Sequence, residues 1–186
     1  MTTPLSLLIR TRRTIGAFTA QPIPAGVVES LLEIAVFAPN HRLTEPWRFV
    51  YLTGEGVKRY AEIRRDVALA GFKGDESARH QLAEGTYQKF AMLPAILIVI
   101  NRINSNPSIA EEDYAATSCV IQNFMLLAWE QNIGSAWKTP KLFPELLAFI
   151  GVASDERMIG VIHLGYPSEA PVSQRTPAHT RITYIG

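Results

Sequence analysis

The stretch YAATSCVIQNFMLLAW, Tyr114 to Trp129, runs for sixteen residues without a charge. Glu111, Glu112 and Asp113 precede it and Gln131-Asn132-Ile133-Gly134 follows. Acids favour a helix N-terminus and Asn-Ile-Gly is a plausible stop, so the segment reads as one helix. The acidic run can also be read as a carboxylate site, but dipole complementarity explains it more simply. A helix neutral around its whole circumference is buried on every side. A chain of 186 residues has little room for that unless a second subunit covers one face, so the sequence predicts a homodimer.

The remaining elements fall in place around this helix. Leu5, Leu7, Leu8 and Ile9 predict a short first helix ending in the basic cluster RTRRT. PAGVVESLLEIAVFAP predicts a second, with Val28, Leu31, Leu32 and Ala35 on one face and Pro39 stopping it. WRFVYL reads as a strand and GEGVKRYAEIRRDVALA as an amphipathic helix, whereas residues 71–92 are polar and only weakly helical. PAILIVINR is a continuous apolar run, the pattern of a strand buried on both faces. GSAWKT, PELLAFIG and MIGVIHLGYP then read as strand, helix and strand, and the terminal RITYIG has strand character that suits reaching across to a partner. About five strands and five or six helices, without repeat or linker, predict one three-layer α+β or α/β domain over 1–186.

Composition narrows the function classes. Eighteen basic and seventeen acidic residues leave a formal charge of +1, which gives no electrostatic case for nucleic acid or anionic membrane. The single cysteine, Cys119, excludes an internal disulfide and suits a reducing cytoplasm. MTTPLSLLIRTRR has its apolar patch before its arginines, the wrong order for a signal peptide, and no apolar run approaches a bilayer span. His41, His80, His163 and His179 show no metal-ligand spacing, so no metal is expected. TGEGVKRY lacks the third glycine of a dinucleotide fingerprint, and neither a P-loop nor a GxSxG elbow is present.

What remains is a set of cations at the ends of elements: Arg10, Arg12, Arg13, His41, Arg42, Lys138, Arg175 and Arg181. Any one is explained by a helix C-terminus, but the set fits a small anionic ligand, because arginine forks match a phosphate. The loop APNHRLTEPWRF between the second helix and the first strand is equally unusual. It carries histidine, arginine, a carboxylate and tryptophan where a plain turn would be rich in Gly, Ser and Asp.

RTRRTIGAF, APNHRLTEPWRFVYL, GSAWKT and GVIHLGYP resemble, in order and spacing, the successive motifs of the nitroreductase family of FMN-dependent oxidoreductases. The APNH and AWKT variants are similar to its small, minimal subgroup. The resemblance implies a nitroreductase-like α+β three-layer sandwich with a central mixed or antiparallel sheet of about five strands. It further implies a dimer built on the long helix, with a C-terminal strand exchanged and FMN held at the interface by both subunits. Carried over by position, Arg12, Arg13 and Thr14 lie along the FMN phosphate, ribityl chain and ring edge. His41, with Phe37 and Asn40, approaches the flavin from the partner, and Trp137, Lys138 and Thr139 run past the ring. Arg175 is the tail arginine for the phosphate, with Arg181 as the fallback. His41 is read as a cofactor contact and Trp47 as packing.

Three departures from the family pattern stand out. Thr14 replaces a serine, Gly16 an arginine, and Leu43 and Glu45 take positions usually held by Asn and Gln. Glu45 is expected to face the ring or to pair with Arg42 or Arg48. The implied activity is electron transfer from NAD(P)H to a nitroaromatic, quinone or similar acceptor in two half-reactions. The flavin does the chemistry, and Arg13 or Lys138 stabilises charge at its N1–C2 carbonyl edge. Segment 71–92, with Phe72, His80, Tyr87 and Phe90, is placed at substrate selection or on the surface in equal measure. A non-catalytic FMN-binding protein and a specialised flavin enzyme, dehalogenating or flavin-degrading, remain open.

Overall fold

The computed structural model describes residues 3–186. Its centre is the strand Ala95–Arg102, whose residues from Ala95 to Ile100 are all buried. Numbered along the chain this is β2, with β1 at Trp47–Leu52, β3 at Gly134–Lys138 and β4 at Glu156–Gly165. The sheet runs β1-β2-β4-β3 and every neighbouring pair is antiparallel. Alternation along β2 sends Leu97 and Val99 to one face and Ile96, Ile98 and Ile100 to the other, so both faces need a helical cover.

The helices supply it. α2 (Val27–Ala35) and α5 (Pro107–Glu130) close the first face, where Leu31, Ile121, Phe124 and Met125 meet Leu97, Ile162 and Leu164. α3 (Gly54–Ala70), α4 (Glu76–Ala91) and α6 (Pro144–Phe149) close the second with Tyr60, Ile63, Phe90 and Leu146. α1 (Leu5–Thr11) packs on α5, and the Trp129 indole N–H donates to the Thr11 hydroxyl at 3.1 Å.

Several expectations change. The sheet has four antiparallel strands among the described residues rather than about five. RITYIG forms no strand: a 3-10 turn covers Ala178–Arg181, and Tyr184 and Ile185 lie exposed. The outer edge of β3 meets Thr14 through a parallel bridge to Ser135, and RITYIG pairs neither there nor with the outer edge of β1. Within 71–92 the weak helix is a regular one of sixteen residues, capped by the Asp75 carboxylate accepting from Ala78 N–H at 2.8 Å and packed along α3.

α5 starts a turn earlier than its acids suggest. Asn106 is the N-cap, accepting from the Ser108 and Ile109 amides at 3.0 and 3.4 Å, with Pro107 in the first turn. Glu111, Glu112 and Asp113 therefore lie beyond the first turn, and the dipole account of them does not hold. Nor is α5 buried all round within one chain. Ala116, Val120, Phe124 and Ala128 face the core, while Tyr114, Ala115, Cys119 and Gln122 lie uncovered.

Two polar clusters fasten the layers. Buried Asn101 of β2 donates to the Thr117 hydroxyl at 2.9 Å and to the Asp113 carbonyl at 3.3 Å, and accepts from Arg157 Nε at 3.3 Å. At the same end, Arg48 of β1 grips Glu156 of β4 through Nε and Nη2, both at 2.6 Å, and reaches the Gly151 carbonyl at 2.7 Å. Across the sheet, the pairing slips by one residue between Val99 and Ile100. There Gly160 lies under the Trp137 indole, whose N–H donates to the Ile159 carbonyl at 3.3 Å.

Two outcomes follow from these contacts. The Glu156 carboxyl is held down to about 2, first by the hydrogen bonds from Arg48 and further by the Ala153 amide. Its stabilisation is therefore complete above the unfolded value of 4.5 and is lost as pH falls through about 2. Glu156→Gln should cost roughly 1–2 kcal/mol in urea unfolding at pH 7, with the gap closing towards pH 2. In Gly160→Ala the new Cβ would stand 2.5 Å from Trp137 Nε1. That variant should lose about 1–3 kcal/mol and alter tryptophan emission.

Candidate functional site

Past α1 the chain extends at Arg12 (φ −55°, ψ 135°) and runs beside β3, with Ile15 N–H donating to the Ser135 carbonyl at 3.0 Å. Ile15 is fully buried against Gly134, where a Cβ would come within 2.7 Å of its Cγ1. Thr19 N–H donates to the Tyr166 carbonyl at 2.8 Å, so the basic motif is zipped to the ends of β3 and β4. The tail is fastened to it as well. Arg13 donates to the carbonyls of Pro171 at 3.1 Å, Arg10 at 2.6 Å and Arg12 at 2.8 Å.

This folding gathers three cations. The half-buried Arg12 guanidinium is pushed down by burial, then by the charges of Arg175 and Arg13. Arg175 spends its hydrogen bonds locally, on the Ser173 hydroxyl and the Gln174 carbonyl. Among the described residues no carboxylate forms an ion pair with any of the three. Like charges held together without a counter-ion favour an anion between them, and a phosphate fits arginine forks.

A cavity of about 380 Å³ adjoins this centre. Ile15, Gly16, Lys138 and Thr139 form one wall, Val161 and His163 of β4 its floor. Tyr60 and Arg64 of α3, Lys89, Phe90 and Leu93 at the end of α4, and Lys141 with Leu146 complete it. Its titratable lining comprises Arg64, Lys89, Lys138, Lys141, His163 and Tyr60, without a carboxylate. Burial, then Lys138, Arg64 and Lys89, push His163 down to about 4, so it is neutral at pH 7. Burial likewise raises the Tyr60 hydroxyl. Phe90 meets Tyr60 and His163 edge-on, at centroid distances of 5.6 and 6.1 Å.

Strand alternation separates two residues of the AWKT motif. Lys138 pairs with Val161 on the cavity face, whereas Trp137 pairs with Ile162 on the α5 face and is 36% exposed. Lys138 and Thr139 join Ile15 and Gly16 at the cavity, and Trp137 does not.

The crowded loop lies at the opposite sheet edge, before β1. β2 and β4 intervene, which puts roughly 14 Å of sheet between β1 and β3. Asn40 donates to the Thr44 hydroxyl at 3.0 Å and accepts from Glu45 N–H at 2.8 Å, and Thr44 donates in turn to the buried Asp113 carboxylate. His41 Nδ1 lies 2.7 Å from Glu112. Arg42, Leu43 and Glu45 all have positive φ, of 62°, 51° and 42°, a conformation costing about 1 kcal/mol or more at each. The acids of α5 thus hold this loop in shape. Glu45 forms no ion pair with Arg48, whose partner is Glu156, nor with Arg42. Trp47 packs against the first core face, as its packing reading expects. Phe37 is 88% exposed and, like Asn40 and His41, does not meet the cavity within one chain.

The sequence reading missed Tyr60, Arg64, Lys141 and His163 as cavity residues, and Lys89 beside the Phe90 it had singled out. Tyr60 and Arg64 are one turn apart on α3, but that spacing looks the same on any solvated helix face. Phe72, His80 and Tyr87 do not line the cavity. Among the described residues no group of acids, histidines and cysteine could hold a metal, and no helix is long and apolar enough to cross a membrane.

The Nitroreductase family model matches residues 9–166. The Bacillus subtilis (strain 168) protein YfhC, named as a candidate NAD(P)H nitroreductase, is 38% identical over 95% of this chain and 91% of its own. A crystal structure of a nitroreductase-like family protein from Bacillus cereus superposes with a TM-score of 0.86 at 32% identity, covering 100% of this chain and 97% of that one. A structure of oxidized iodotyrosine deiodinase bound to FMN and 3-iodo-L-tyrosine shares the fold, with a TM-score of 0.70 at 23% identity over 94% and 96% of the two chains. With the family model spanning most of its length and a relative this similar across nearly all of it, the chain belongs to the nitroreductase family.

Proposed function

We propose that this protein is an FMN-dependent oxidoreductase that passes electrons from NAD(P)H to an electron-poor acceptor such as a nitroaromatic or quinone. The observation that carries the reading is the uncompensated cation set along the Thr14–Ser135 zipper: Arg12, Arg13 and Arg175 at one end, Lys138 at the other. The flavin, when bound, supplies hydride acceptance and donation at N5. For a nitro acceptor the balance is ArNO2 + NAD(P)H + H⁺ → ArNO + NAD(P)⁺ + H2O.

The residues fit such a group. Arg12, Arg13 and Arg175 bind the phosphate dianion and relieve their mutual repulsion as they do so. Thr14 offers its hydroxyl between them and the cavity wall. Lys138 and Thr139 would hold the ring's edge, where the Lys138 ammonium would stabilise negative charge at the N1–C2 carbonyl. Trp137, on the far face of β3, does not meet the cavity within one chain. No protein nucleophile is needed, and neutral His163 adds no charge to the wall.

A second copy of the chain completes the site. The uncharged, uncovered face of α5 and the groove between Leu5, Ile34, Leu126 and Leu127 form an apolar surface suited to that copy. The same contact supports bringing the partner's loop, with Phe37, Asn40 and His41, to the flavin, which explains why that loop is held in a strained shape far from its own cavity. The exposed Tyr184 and Ile185 suit an arm reaching across. The lone thiol suits the reducing cytoplasm. The dehalogenating alternative rests on the deiodinase-like fold, and a non-catalytic flavin protein would be marked by bound flavin that no nicotinamide reduces.

Purified protein should be yellow and bleach with NAD(P)H without oxygen; colourless protein that takes up no FMN overturns the assignment. Arg12→Ala and Arg175→Ala should each weaken FMN about tenfold or more by fluorescence titration. Lys138→Ala should lower the flavin potential by roughly 30 mV, about 1.4 kcal/mol for two electrons. An unchanged potential removes Lys138 from that role.

A further inference from the structure

We propose that the far end of the cavity, where Arg64, Lys89 and Lys141 converge, binds the anionic substituent of an aromatic electron acceptor, a carboxylate foremost. The redox part of this assignment rests on the flavin reading above, while the anion site stands on the cavity itself.

Charge is the first ground. Four cations and no carboxylate line one partly open cavity, with Arg64 half-buried and Lys89, Lys138 and Lys141 exposed, although the whole chain carries a net charge of only +1. Elsewhere Arg48, Lys58, Arg59 and Arg65 each pair with an acid, so acids are not scarce on this molecule. Among the described residues Arg64, Lys89, Lys138 and Lys141 form no ion pair. The cofactor reading does not consume them: a phosphate dianion is matched by Arg12, Arg13 and Arg175, and the flavin's one negative charge by Lys138. Three cations remain.

Placement is the second ground. Arg64 is positioned rather than free: its guanidinium lies 4.5 Å from the Phe90 ring centroid and 5.4 Å from that of Phe143, and donates to the Tyr60 hydroxyl at 3.3 Å. Lys89 Nζ lies 5.8 Å from the Phe90 centroid. Fixing a cation over aromatic faces leaves its N–H donors for a ligand.

Shape and polarity are the third. Ile15, Leu93 and the ring of Phe90 give the same space an apolar wall. An apolar wall flanked by cations selects a flat body with an acidic substituent over a neutral ring.

The test compares 4-nitrobenzoate with its methyl ester on the FMN-loaded protein and measures binding of benzoate, which has no nitro group, by calorimetry. The acid should exceed the ester in kcat/KM by about tenfold or more. Arg64→Met and Lys141→Met should each move that ratio towards one and weaken benzoate about tenfold. Lys141 is exposed, so its variant keeps the test intact if Arg64→Met fails to fold. Calorimetry separates the two readings: benzoate binding that both variants weaken supports the anion site even where no flavin is reduced. A wild-type ratio near one, a ratio neither variant moves, or no benzoate binding overturns the proposal. So does a KM increase confined to NADPH, which would assign these cations to the donor.

Discussion

Everything else in this structure depends on β2 being apolar on both faces. A strand that buries Leu97 and Val99 on one side and Ile96, Ile98 and Ile100 on the other cannot sit at a solvated surface, so it recruits helices to both. β4 shares that burden beside it, and the two central strands hold β1 and β3 apart at opposite edges. The edges are where polar chemistry is tolerated, and both groups of unusual residues lie there. The basic motif and the cavity attach to the β3 edge, and the strained loop leads into the β1 edge.

This layout explains why one chain looks incomplete. The loop carrying Phe37, Asn40 and His41 is held in an unfavourable backbone conformation by Asp113 and Glu112, yet it faces away from its own cavity. Local strain persists only when surrounding contacts over-determine it, and it clusters at sites with a task. On the proposed reading, a second copy docked along the uncharged face of α5 would give the loop that task. Glu112 and Asp113 thereby acquire a role other than dipole complementarity, acting as anchors for a loop some seventy residues earlier in sequence.

Electrostatics divides the β3 edge in two. Arg12, Arg13 and Arg175 come together because the extended chain after α1 and the tail after β4 are both tied there. Lys138 belongs to a second centre shared with α3, α4 and the loop before α6. The two centres adjoin at Thr14 and Ile15, so a ligand with a phosphate and a flat ring would have its ends on different elements. In the cavity burial first, and then the charges of Lys138, Arg64 and Lys89, keep His163 neutral.

The sequence by itself determined the elements and the family. Continuous apolar runs marked β2 and β4, periodicity marked α2 and α3, and the motifs around Arg12, His41 and Lys138 carried the resemblance. Those signals are local, and a one-dimensional pattern suffices for them. Tertiary structure decided what each pattern was for. Asn106, not the acids, starts α5; Trp137 and Lys138 diverge because adjacent strand residues face opposite ways; RITYIG, in a single chain, pairs with no strand. Arg64, Lys89 and Lys141 were invisible in advance, because a lone cation on a helix or loop looks the same whether it faces water or a cavity. Only the packing of α4 along α3 over the end of the sheet turned three ordinary surface charges into one site.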